Sequence, residues 1–443
     1  MDERLKIVYL SHYFPPEVNA PAARVSEMAQ RWAERGDHVT ILTCFPNHPS
    51  GIIPPQYRGL WRLREKHGDV IVVRTYVHAA PNRGFLKRIL NFLSFMISSI
   101  FLGSWMIGHP DVLIATSPQF FVGVAGYVIS RIKRCKFVFE VRDIWPAEIV
   151  AVGALKNKLA IKILEAVEMF LYRRADKVVV VAEGAAEILR SRGVPESKIA
   201  FVPNGVDLEI FQGGEGRDRV RRQLGLEQQC VVGYIGTHGM AHKLETVLEA
   251  AKILRGEDDI HFLFVGDGAE KGNLEEMARN LELWNVTFHN QVSRHEIPDF
   301  YAACDVCLVP LKKARLFTKN IPSKIYEIMA SKRPIIISTE GESLRLVELS
   351  GAGLGAAPEN ANDLAEKIIR LKNDPELRAE MGRSGFSFVM ANSSRRRLAD
   401  IYRELLTGIR GRAMGATRTY QFPQKAEKGY GDREEVSTQV TPR

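Results

Sequence analysis

The chain has 443 residues, of which 45% are hydrophobic and 26% charged, and its formal net charge is +9. This length is enough for two domains with sizeable cores, and the composition is ordinary for a globular protein. A basic excess fits an anionic membrane surface, phosphorylated substrates or nucleic acid. The basic residues are not interleaved with aromatic residues in a nucleic-acid motif, so we expect no nucleic-acid partner.

The cysteines indicate a reducing compartment, because they are odd in number and scattered along the chain. Cys304 and Cys307 spell a CxxC string, but no second pair follows at zinc spacing. We predict a helix end and a buried strand there instead of a metal or redox site. The apolar run Ile7–Leu10 is too short for a signal peptide, so we expect a cytoplasmic protein.

The N-terminal stretch predicts the start of a doubly wound parallel sheet. A buried strand over Leu5–Leu10 is followed by a turn-rich loop over Ser11–Arg24, a helix to about Arg35 and a strand over Val39–Thr43. Ligands bind beyond the carboxyl ends of such strands. The first loop is therefore a candidate binding loop, and its Asn19 a candidate acceptor-binding residue.

Two segments follow that such a sheet does not require. The long loop Phe45–Leu60 is rich in Pro, Gly and Asn, and we assign it to acceptor binding. Phe85–Gly108 carries no charge after Arg88 and approaches the length of a membrane span. A true span would place the halves of one sheet on opposite sides of a membrane, so we reject it. Two interpretations stay open: a buried core helix, or a helix in the membrane interface with Arg83, Lys87 and Arg88 on headgroups.

Further strands over Asp111–Thr116 and Lys136–Val141 continue the sheet, and the second leads into the string R-D-I-W-P. Arg142 and Asp143 thus follow a strand end and are candidate acceptor-binding residues, because an ionised carboxylate can hydrogen-bond an acceptor hydroxyl. A structural ion pair between these two residues is the alternative. A strand over Lys177–Val181 and the turn string P-N-G-V-D then close the first domain.

A second α/β series begins after a Gly-rich linker, Gly213–Gly216. The strand Val231–Ile235 is followed by the glycine loop Gly236–Gly239 and a helix, an order that can place backbone amides near phosphate. The spacing of these glycines does not fit a dinucleotide fingerprint. The candidate donor-binding residues here are Gly236, Thr237, His242 and Lys243.

The segment Lys319–Glu348 contains the densest set of candidate residues. Pro322 suits a helix start, and Ser323 and Lys324 follow where the free amides, the helix dipole and a lysine charge favour an anion such as phosphate. Glu327 shares a helix face with Lys324 and could accept hydrogen bonds from ribose hydroxyls. An ordinary amphipathic helix with solvated Lys and Glu side chains is the alternative.

The same segment continues into a buried strand over Pro334–Ser338 and a polar turn. The turn follows the carboxyl end of a predicted parallel strand, where ligands bind, so Gly341 and Glu342 are further donor-binding candidates. Helices over Asp363–Leu371, Pro375–Met381 and Arg395–Leu406 complete the chain. The tail that follows has few apolar residues and is predicted to be disordered.

The strings R-D-I-W-P, P-N-G-V-D and P-S-K-I-Y-E resemble the retaining glycosyltransferases of family 4 over about residues 5–406. Within that family, the P-S-K form resembles fucosamine-type sugar transferases of O-antigen, capsule and exopolysaccharide assembly. Family members usually carry two glutamates with seven residues between them. Glu327 matches the second glutamate, whereas Lys319 replaces the first. Thr237 and His242 stand near the family's diphosphate-binding Arg and Lys, so the cationic role shifts towards Lys324.

The resemblance implies a GT-B fold, in which two Rossmann-like domains face a cleft. The implied division is an acceptor domain over 1–210, a nucleotide-sugar domain over 211–394, a returning helix over 395–408 and a tail over 409–443. Lys324 and Asp143 are the implied catalytic residues.

The implied activity is transfer of a sugar, with retention, from a nucleotide sugar that we expect to be UDP-linked to a polyprenyl-diphosphate-linked or growing polysaccharide, in bacterial surface polysaccharide synthesis. We expect no cofactor or obligatory metal, and a peripheral position on the inner face of the plasma membrane through Phe85–Gly108. The alternatives are a nucleotide-sugar epimerase of the same fold and a non-catalytic nucleotide-binding scaffold.

Overall fold

The N-terminal domain contains an eight-stranded sheet in the order β3-β4-β2-β1-β5-β6-β7-β8. The computed structural model describes residues 4–48, 50–80, 85–151, 153, 155–211 and 216–411. All neighbouring strands in this sheet are parallel except β3 and β4. The strands are β1 (Lys6–Leu10), β2 (His38–Cys44), β3 (Arg62–His67), β4 (Val70–Thr75), β5 (Val112–Thr116), β6 (Lys136–Val141), β7 (Lys177–Val180) and β8 (Ile199–Phe201).

Helices connect these strands on both faces of the sheet. Between α2 and α3 the chain forms a π-helix over Ser99–Gly103, and a 3₁₀ turn lies at Pro55–Tyr57. The α-helices are α1 (Ala20–Glu34), α2 (Phe85–Ser98), α3 (Ser104–Met106), α4 (Phe120–Lys133), α5 (Ala147–Ala151), α6 (Lys158–Arg174), α7 (Glu183–Ser191) and α8 (Leu208–Phe211).

The C-terminal domain contains a six-stranded parallel sheet in the order β11-β10-β9-β12-β13-β14. Its strands are β9 (Cys230–Ile235), β10 (Ile260–Val265), β11 (Val286–His289), β12 (Val306–Pro310), β13 (Ile335–Ser338) and β14 (Gly353–Ala356). Its helices are α9 (Arg217–Leu224), α10 (Glu245–Ile253), α11 (Lys271–Asn280), α12 (Ile297–Ala303), α13 (Lys324–Ala330), α14 (Glu342–Leu349), α15 (Ala361–Asn373) and α16 (Pro375–Asn392).

Both sheets reverse their strand order at a central strand, β1 in the first domain and β9 in the second. These strands are almost wholly apolar and buried, as parallel strands covered on both faces should be. The loops that leave the two strands therefore open at the topological switch points where ligands bind. The predicted two-domain doubly wound architecture is confirmed.

Several local predictions needed correction. The hairpin strand β3 falls just after the long loop Phe45–Leu60 and was not predicted, because Leu63 is its single apolar residue and the others are charged or polar. Helix α13 begins at Lys324, two residues after Pro322, so Pro322 precedes the helix. Cys304 and Cys307 are buried free thiols, at the end of α12 and within β12, as predicted.

The apolar segment Phe85–Gly108 is neither wholly buried nor wholly exposed. Within the part of the chain that the structure describes, one helical stretch, Lys87–Met106, is long and apolar enough to cross a membrane, and a third of it (33%) is buried. Phe95 is fully buried in the core, whereas Trp105 is 84% exposed. The strands before and after the segment, β4 and β5, lie in one sheet, which agrees with our rejection of a span.

A last helix, α17 (Arg395–Arg410), returns to the N-terminal domain and packs on α1. The Trp32 indole N–H of α1 donates to the Ala399 carbonyl at 2.9 Å, and Arg403 pairs with Asp37. The predicted disordered tail falls outside the described residues from 412 onward, as do most of the predicted linker (212–215) and Arg83.

Candidate active site

A cleft of about 1150 Å³ separates the two domains, and both domains line it. The loops after β1 and β6 line the cleft on the N-terminal side. The loop after β9, the segment before α13 and the segment after β11 line the other side. The cleft contains nine of the predicted site residues: Asn19, Arg142, Asp143, Gly236, Thr237, His242, Ser323, Lys324 and Glu327.

Lys324 projects from the start of α13 toward the glycine loop after β9. Its Nζ lies 3.8 Å from the centroid of the Tyr234 ring, and a Cβ on Gly236 would stand 2.7 Å from the same atom. Gly236 has φ of +142°, so this position favours glycine both by backbone angle and by the closeness of Lys324. The Lys324 ammonium has no hydrogen-bond partner among the described residues.

Burial lowers the pKa of Lys324 to about 7, and the nearby Glu327 charge only partly opposes this. An anionic ligand would favour the charged form of Lys324 and restore its ordinary pKa. His242 lies beside it with a pKa lowered to about 3, mainly by burial and then by the Lys324 charge. His242 is therefore a neutral group at physiological pH.

The other predicted anion-binding groups in this segment contribute less than the sequence suggested. The amides of Ile325 and Tyr326 already donate to the carbonyls of Pro322 and Ser323. Ser323 adjoins α13, but its side chain makes no cap hydrogen bond. The ammonium of Lys324 is thus the main cationic group presented to an anion on this side of the cleft.

Glu327 is held by a chain of ion pairs that crosses the domain boundary. Its Oε1 accepts from Arg294 at 2.5 Å, and its Oε2 lies 3.3 Å from the Tyr301 hydroxyl. Arg294 also pairs with Glu27 of α1 at 2.8 Å, and Glu27 pairs with Arg395 of α17 at 2.8 Å. We call Arg395–Glu27–Arg294–Glu327 the interdomain relay. It fixes the carboxylate that we predicted to bind ribose.

The sequence did not point to Arg294 or Glu27 as parts of the site. Arg294 follows the carboxyl end of β11, which is the position where a doubly wound sheet places ligand-binding residues. The position of Arg294 after a strand end could therefore have indicated a site residue. Its partner Glu27 lies more than 260 residues away in the sequence, on a helix face. No local pattern connects the two residues.

Three predicted donor-binding residues lie outside the cleft lining. The Lys243 ammonium is 3.5 Å from Glu245, and the Gly341 backbone lies against Thr318. The Glu342 carboxylate accepts from the amides of Glu183 and Gly184, at 2.7 and 2.8 Å, at the start of α7. Lys319, which replaces the family glutamate, pairs with Glu187 of the same helix. Glu342 and Lys319 thus form a contact between the domains.

The N-terminal face of the cleft presents the acceptor candidates. Asn19 caps α1 through its Oδ1, which accepts from Ala22 at 2.9 Å, while its Nδ2 is unpartnered. The backbone amides of Arg142 and Asp143 both donate to the Ser117 hydroxyl. No direct salt bridge joins the side chains of Arg142 and Asp143 in the described structure, although burial raises the pKa of Asp143 and the Arg142 charge partly lowers it. Nε and Nη1 of Arg142 have no hydrogen-bond partner among the described residues.

Two carboxyl groups on this face, those of Glu148 and Glu17, were not predicted as site residues. Burial, then the Asp143 charge, raises the pKa of Glu148, which accepts from Asn320 of the other domain at 2.9 Å. Burial also raises the pKa of Asp143. Glu17 accepts from the amides of Asn47 and His48, and burial raises its pKa to about 7. These groups supply hydrogen-bond acceptors suited to sugar hydroxyls.

Among the residues described, no group of three or more His, Cys, Asp or Glu side chains could hold a metal ion. The C-terminal face of the cleft presents Lys324, which has no ion pair among the described residues, beside the ion-paired Arg294, and the N-terminal face presents mixed polar groups. This arrangement can hold an anionic leaving group on one side and a hydroxylated molecule on the other.

Two family models match the chain in order. Residues 19–205 match a glycosyl transferase 4-like domain, and residues 216–388 match glycosyl transferases group 1. These matches favour a transferase over the epimerase and scaffold alternatives.

Individual proteins agree with these matches. A relative from Escherichia coli (strain K12), named as the colanic acid biosynthesis glycosyl transferase WcaI, is 26% identical over 82% of this chain and 91% of its own length. An N,N'-diacetylbacillosaminyl-diphospho-undecaprenol alpha-1,3-N-acetylgalactosaminyltransferase from Campylobacter jejuni is 26% identical over 48% of this chain and 55% of its own length. The crystal structure of Anabaena Alr3699/HepE with UDP and glucose has a TM-score of 0.68, with 18% identity over 91% of this chain and all of that chain.

Proposed function

Because this chain is a family 4-type glycosyltransferase of GT-B fold, we propose that it transfers a sugar, with retention, from a UDP-linked donor in bacterial surface polysaccharide synthesis. The proposed acceptor is a polyprenyl-diphosphate-linked or growing polysaccharide. The names of the colanic acid and undecaprenol-linked relatives support this acceptor class, and the UDP-bound relative supports the nucleotide. Within the family, we propose the fucosamine-type subgroup on the P-S-K string.

The observation that carries the proposal is the unpartnered ammonium of Lys324. It is buried in the interdomain cleft beside the glycine loop, where a diphosphate can approach Gly236. The face of the Tyr234 ring offsets part of the cost of this buried charge, but no described group accepts a hydrogen bond from it, so we infer a site that an anion completes. We propose that Glu327, oriented by Arg294, binds the donor ribose, and that Thr237 and Ser323 line the phosphate path.

The proposed reaction breaks the bond between the anomeric carbon and the diphosphate oxygen, and the electron pair leaves with the diphosphate. Lys324 stabilises the growing negative charge, which is the largest catalytic effect we assign. The acceptor oxygen forms the new bond to the anomeric carbon, and its proton passes to the departing diphosphate oxygen. Asp143 is placed to accept a hydrogen bond from that hydroxyl. The proposal needs no obligatory metal, because Lys324 supplies the positive charge.

The test is a transfer assay with purified protein, UDP-, GDP-, ADP- and CMP-linked sugars, and bacterial polyprenyl-linked glycans. We expect consumption of one UDP-sugar and a product whose anomeric configuration, read by NMR, equals that of the donor. An inverted product would contradict retention alone. If no nucleotide sugar is ever consumed with any acceptor, the proposed function is wrong.

We also propose that the protein binds the inner membrane surface through Phe85–Gly108. The exposed side of this segment carries Leu90, Ile97, Phe101 and Trp105, which are 51–84% exposed. Lys87 and Arg88 are exposed at its first turns. Apolar side chains beside basic ones suit an anionic lipid interface.

Flotation with anionic liposomes tests the membrane proposal. Replacing Phe101 and Trp105 with Ser should reduce the bound fraction several-fold, because both side chains are exposed and make little core contact. Trp284→Ser is the matched control, since Trp284 is 51% exposed on the other domain. Equal binding of all variants would exclude this surface.

A further inference from the structure

The cleft is lined by two cationic side chains that have buried nitrogens without hydrogen-bond partners and that form no ion pair among the described residues. One is Lys324 of the C-terminal domain, already assigned to the donor. The other is Arg142 of the N-terminal domain, which is 8% exposed and whose Nε and Nη1 have no partner. Arg142 lines the cleft, so its free N–H groups can meet a bound molecule. The proposed reaction so far gives Arg142 no role.

Arg24 is a buried arginine with a structural role, and its hydrogen bonds can be compared with those of Arg142. Arg24 is 1% exposed, and it donates twice to Glu140 and once each to the carbonyls of Val202 and Pro203. All three of its guanidinium nitrogens are thus used. Arg142 has a similar degree of burial without such partners. Burying a charge without compensation is costly, so packing alone does not explain Arg142.

The backbone around Arg142 is fixed, whereas its side chain is left available. The Arg142 amide donates to the Ser117 hydroxyl at 2.7 Å. The carboxyl groups of Asp143 and Glu148 line the same part of the cleft. Burial raises the pKa of both carboxyl groups, and the Asp143 charge raises that of Glu148 further, whereas the Arg142 charge partly lowers the pKa of Asp143. Arg142 therefore has acidic neighbours, but no described residue accepts a hydrogen bond from its Nε or Nη1.

We propose that Arg142 binds an anionic group of the acceptor, a phosphate or a carboxylate close to the hydroxyl that receives the sugar. The inference rests on the proposed function, which it deepens by naming the charge class of the acceptor. A guanidinium offers parallel N–H groups that match both anions. The anion could be the phosphate of a lipid diphosphate carrier or the carboxylate of an acidic sugar. In either case a neutral glycan is a poor acceptor.

The first test measures thermal stability without ligand. Arg142→Gln should leave the melting temperature unchanged or raise it, because the variant removes an unpartnered buried charge. Arg24→Gln is the matched control, and it should lower the melting temperature by many degrees because it leaves Glu140 buried and unpaired. If Arg142→Gln loses stability as Arg24→Gln does, or fails to fold, Arg142 is structural and the proposal is wrong.

The second test measures anion binding by thermal shift in the Lys324→Ala variant, which lacks the donor cation. The probes are inorganic phosphate, glucuronate and neutral glucose. We expect phosphate, glucuronate or both to raise the melting temperature by several degrees, and glucose to have little effect. Adding Arg142→Gln should abolish the shift. No shift with either anion, or an equal shift in the double variant, would overturn the proposal.

The two anions distinguish the possible sources. A shift with phosphate alone assigns a phosphorylated acceptor, and a shift with glucuronate alone assigns an acidic sugar. UDP binding to the wild-type protein is measured alongside. If UDP fails to bind while phosphate still binds through Arg142, the proposed function fails and the anion site stands. If UDP binds but neither anion binds through Arg142, the anion site is wrong and the proposed function stands.

Discussion

The two faces of the cleft are built differently. On the C-terminal face, one continuous segment supplies Ser323, Lys324 and Glu327, and an ion-pair relay holds the carboxylate in place. On the N-terminal face, the polar groups come from the ends of separate strands, from Glu17 after β1 to Glu148 in α5. Arg142 there has free N–H groups, and its neighbours Asp143 and Glu148 have raised pKa values.

The difference fits the two substrates we propose. The nucleotide diphosphate of the donor has the same structure in every reaction cycle. A carboxylate held in one position and a single unpaired cation are suited to bind it. An acceptor glycan differs between bacterial polysaccharides, and polar groups on loops can change with it while the sheet stays the same. The relay through Glu27 and Arg294 connects the faces, so donor and acceptor binding need not be independent.

The largest effect is expected where the two faces are connected. Arg294→Gln leaves Glu27 with one partner fewer and Glu327 without its charged partner. Breaking a buried pair of this kind costs roughly 3–5 kcal/mol of unfolding free energy. Chemical denaturation checks the stability, and UDP affinity should fall as well because Glu327 is no longer oriented. Glu34→Gln, a partly exposed carboxylate on α1, is the control and should change stability little. Equal stability of the two variants would mean that the relay does not hold the domains.

The next largest effect is expected at Lys324, and Lys243, which lies outside the cleft lining, serves for comparison. Lys324→Ala should weaken UDP binding by about 3 kcal/mol, roughly a hundredfold, because a desolvated charge contact is lost. Isothermal titration calorimetry measures this directly. Lys243→Ala is the control, since its ammonium faces Glu245, and it should bind UDP as the wild type does. A larger loss in Lys243→Ala would reverse our assignment.

A smaller effect concerns pH. Lys324 is protonated in the free protein only below about pH 7, and a bound diphosphate raises its pKa by favouring the charged form. Binding above that pH therefore requires proton uptake, and affinity for a UDP-sugar should fall roughly tenfold per pH unit. In Lys324→Arg the charge does not titrate, so the slope should flatten. A pH-independent wild-type affinity would show that Lys324 does not face the phosphates.

The smallest effect is expected at the position where this chain departs from its family. Lys319 pairs with Glu187 across the domain contact, and both side chains are substantially exposed. Such a pair contributes about 0–1 kcal/mol. Lys319→Ala should therefore change the turnover rate less than about threefold in the transfer assay. A loss of a hundredfold or more would place Lys319 on the donor.

The fold could be predicted further from the sequence than the site could. Apolar runs such as Val231–Ile235 and turn residues such as Gly236 mark strands and their ends, so the order of elements and the two domains follow from local patterns. Lys324 and Glu327 were predicted because one short segment contains both. Glu27 and Arg294 were not, because their pairing depends on how the two domains face each other.

Two further residues show the same limit. Glu148 lies only five residues after Asp143, but its burial against Asn320 depends on the contact between domains. Glu342 was predicted to lie in a turn that faces a ligand, but it begins α14, and its carboxylate accepts from the amides at the start of α7. Periodicity predicts which face of an element is buried, and only the assembled domains determine which polar groups meet.

The most direct test of the central claim is a structure of the protein with bound UDP. We predict that the diphosphate lies within hydrogen-bond distance of Lys324 Nζ and that the ribose hydroxyls contact Glu327. We also predict that Arg142 remains free of the nucleotide. A diphosphate bound away from Lys324, with Glu327 still held only by Arg294 and Tyr301, would contradict the assignment of the donor site.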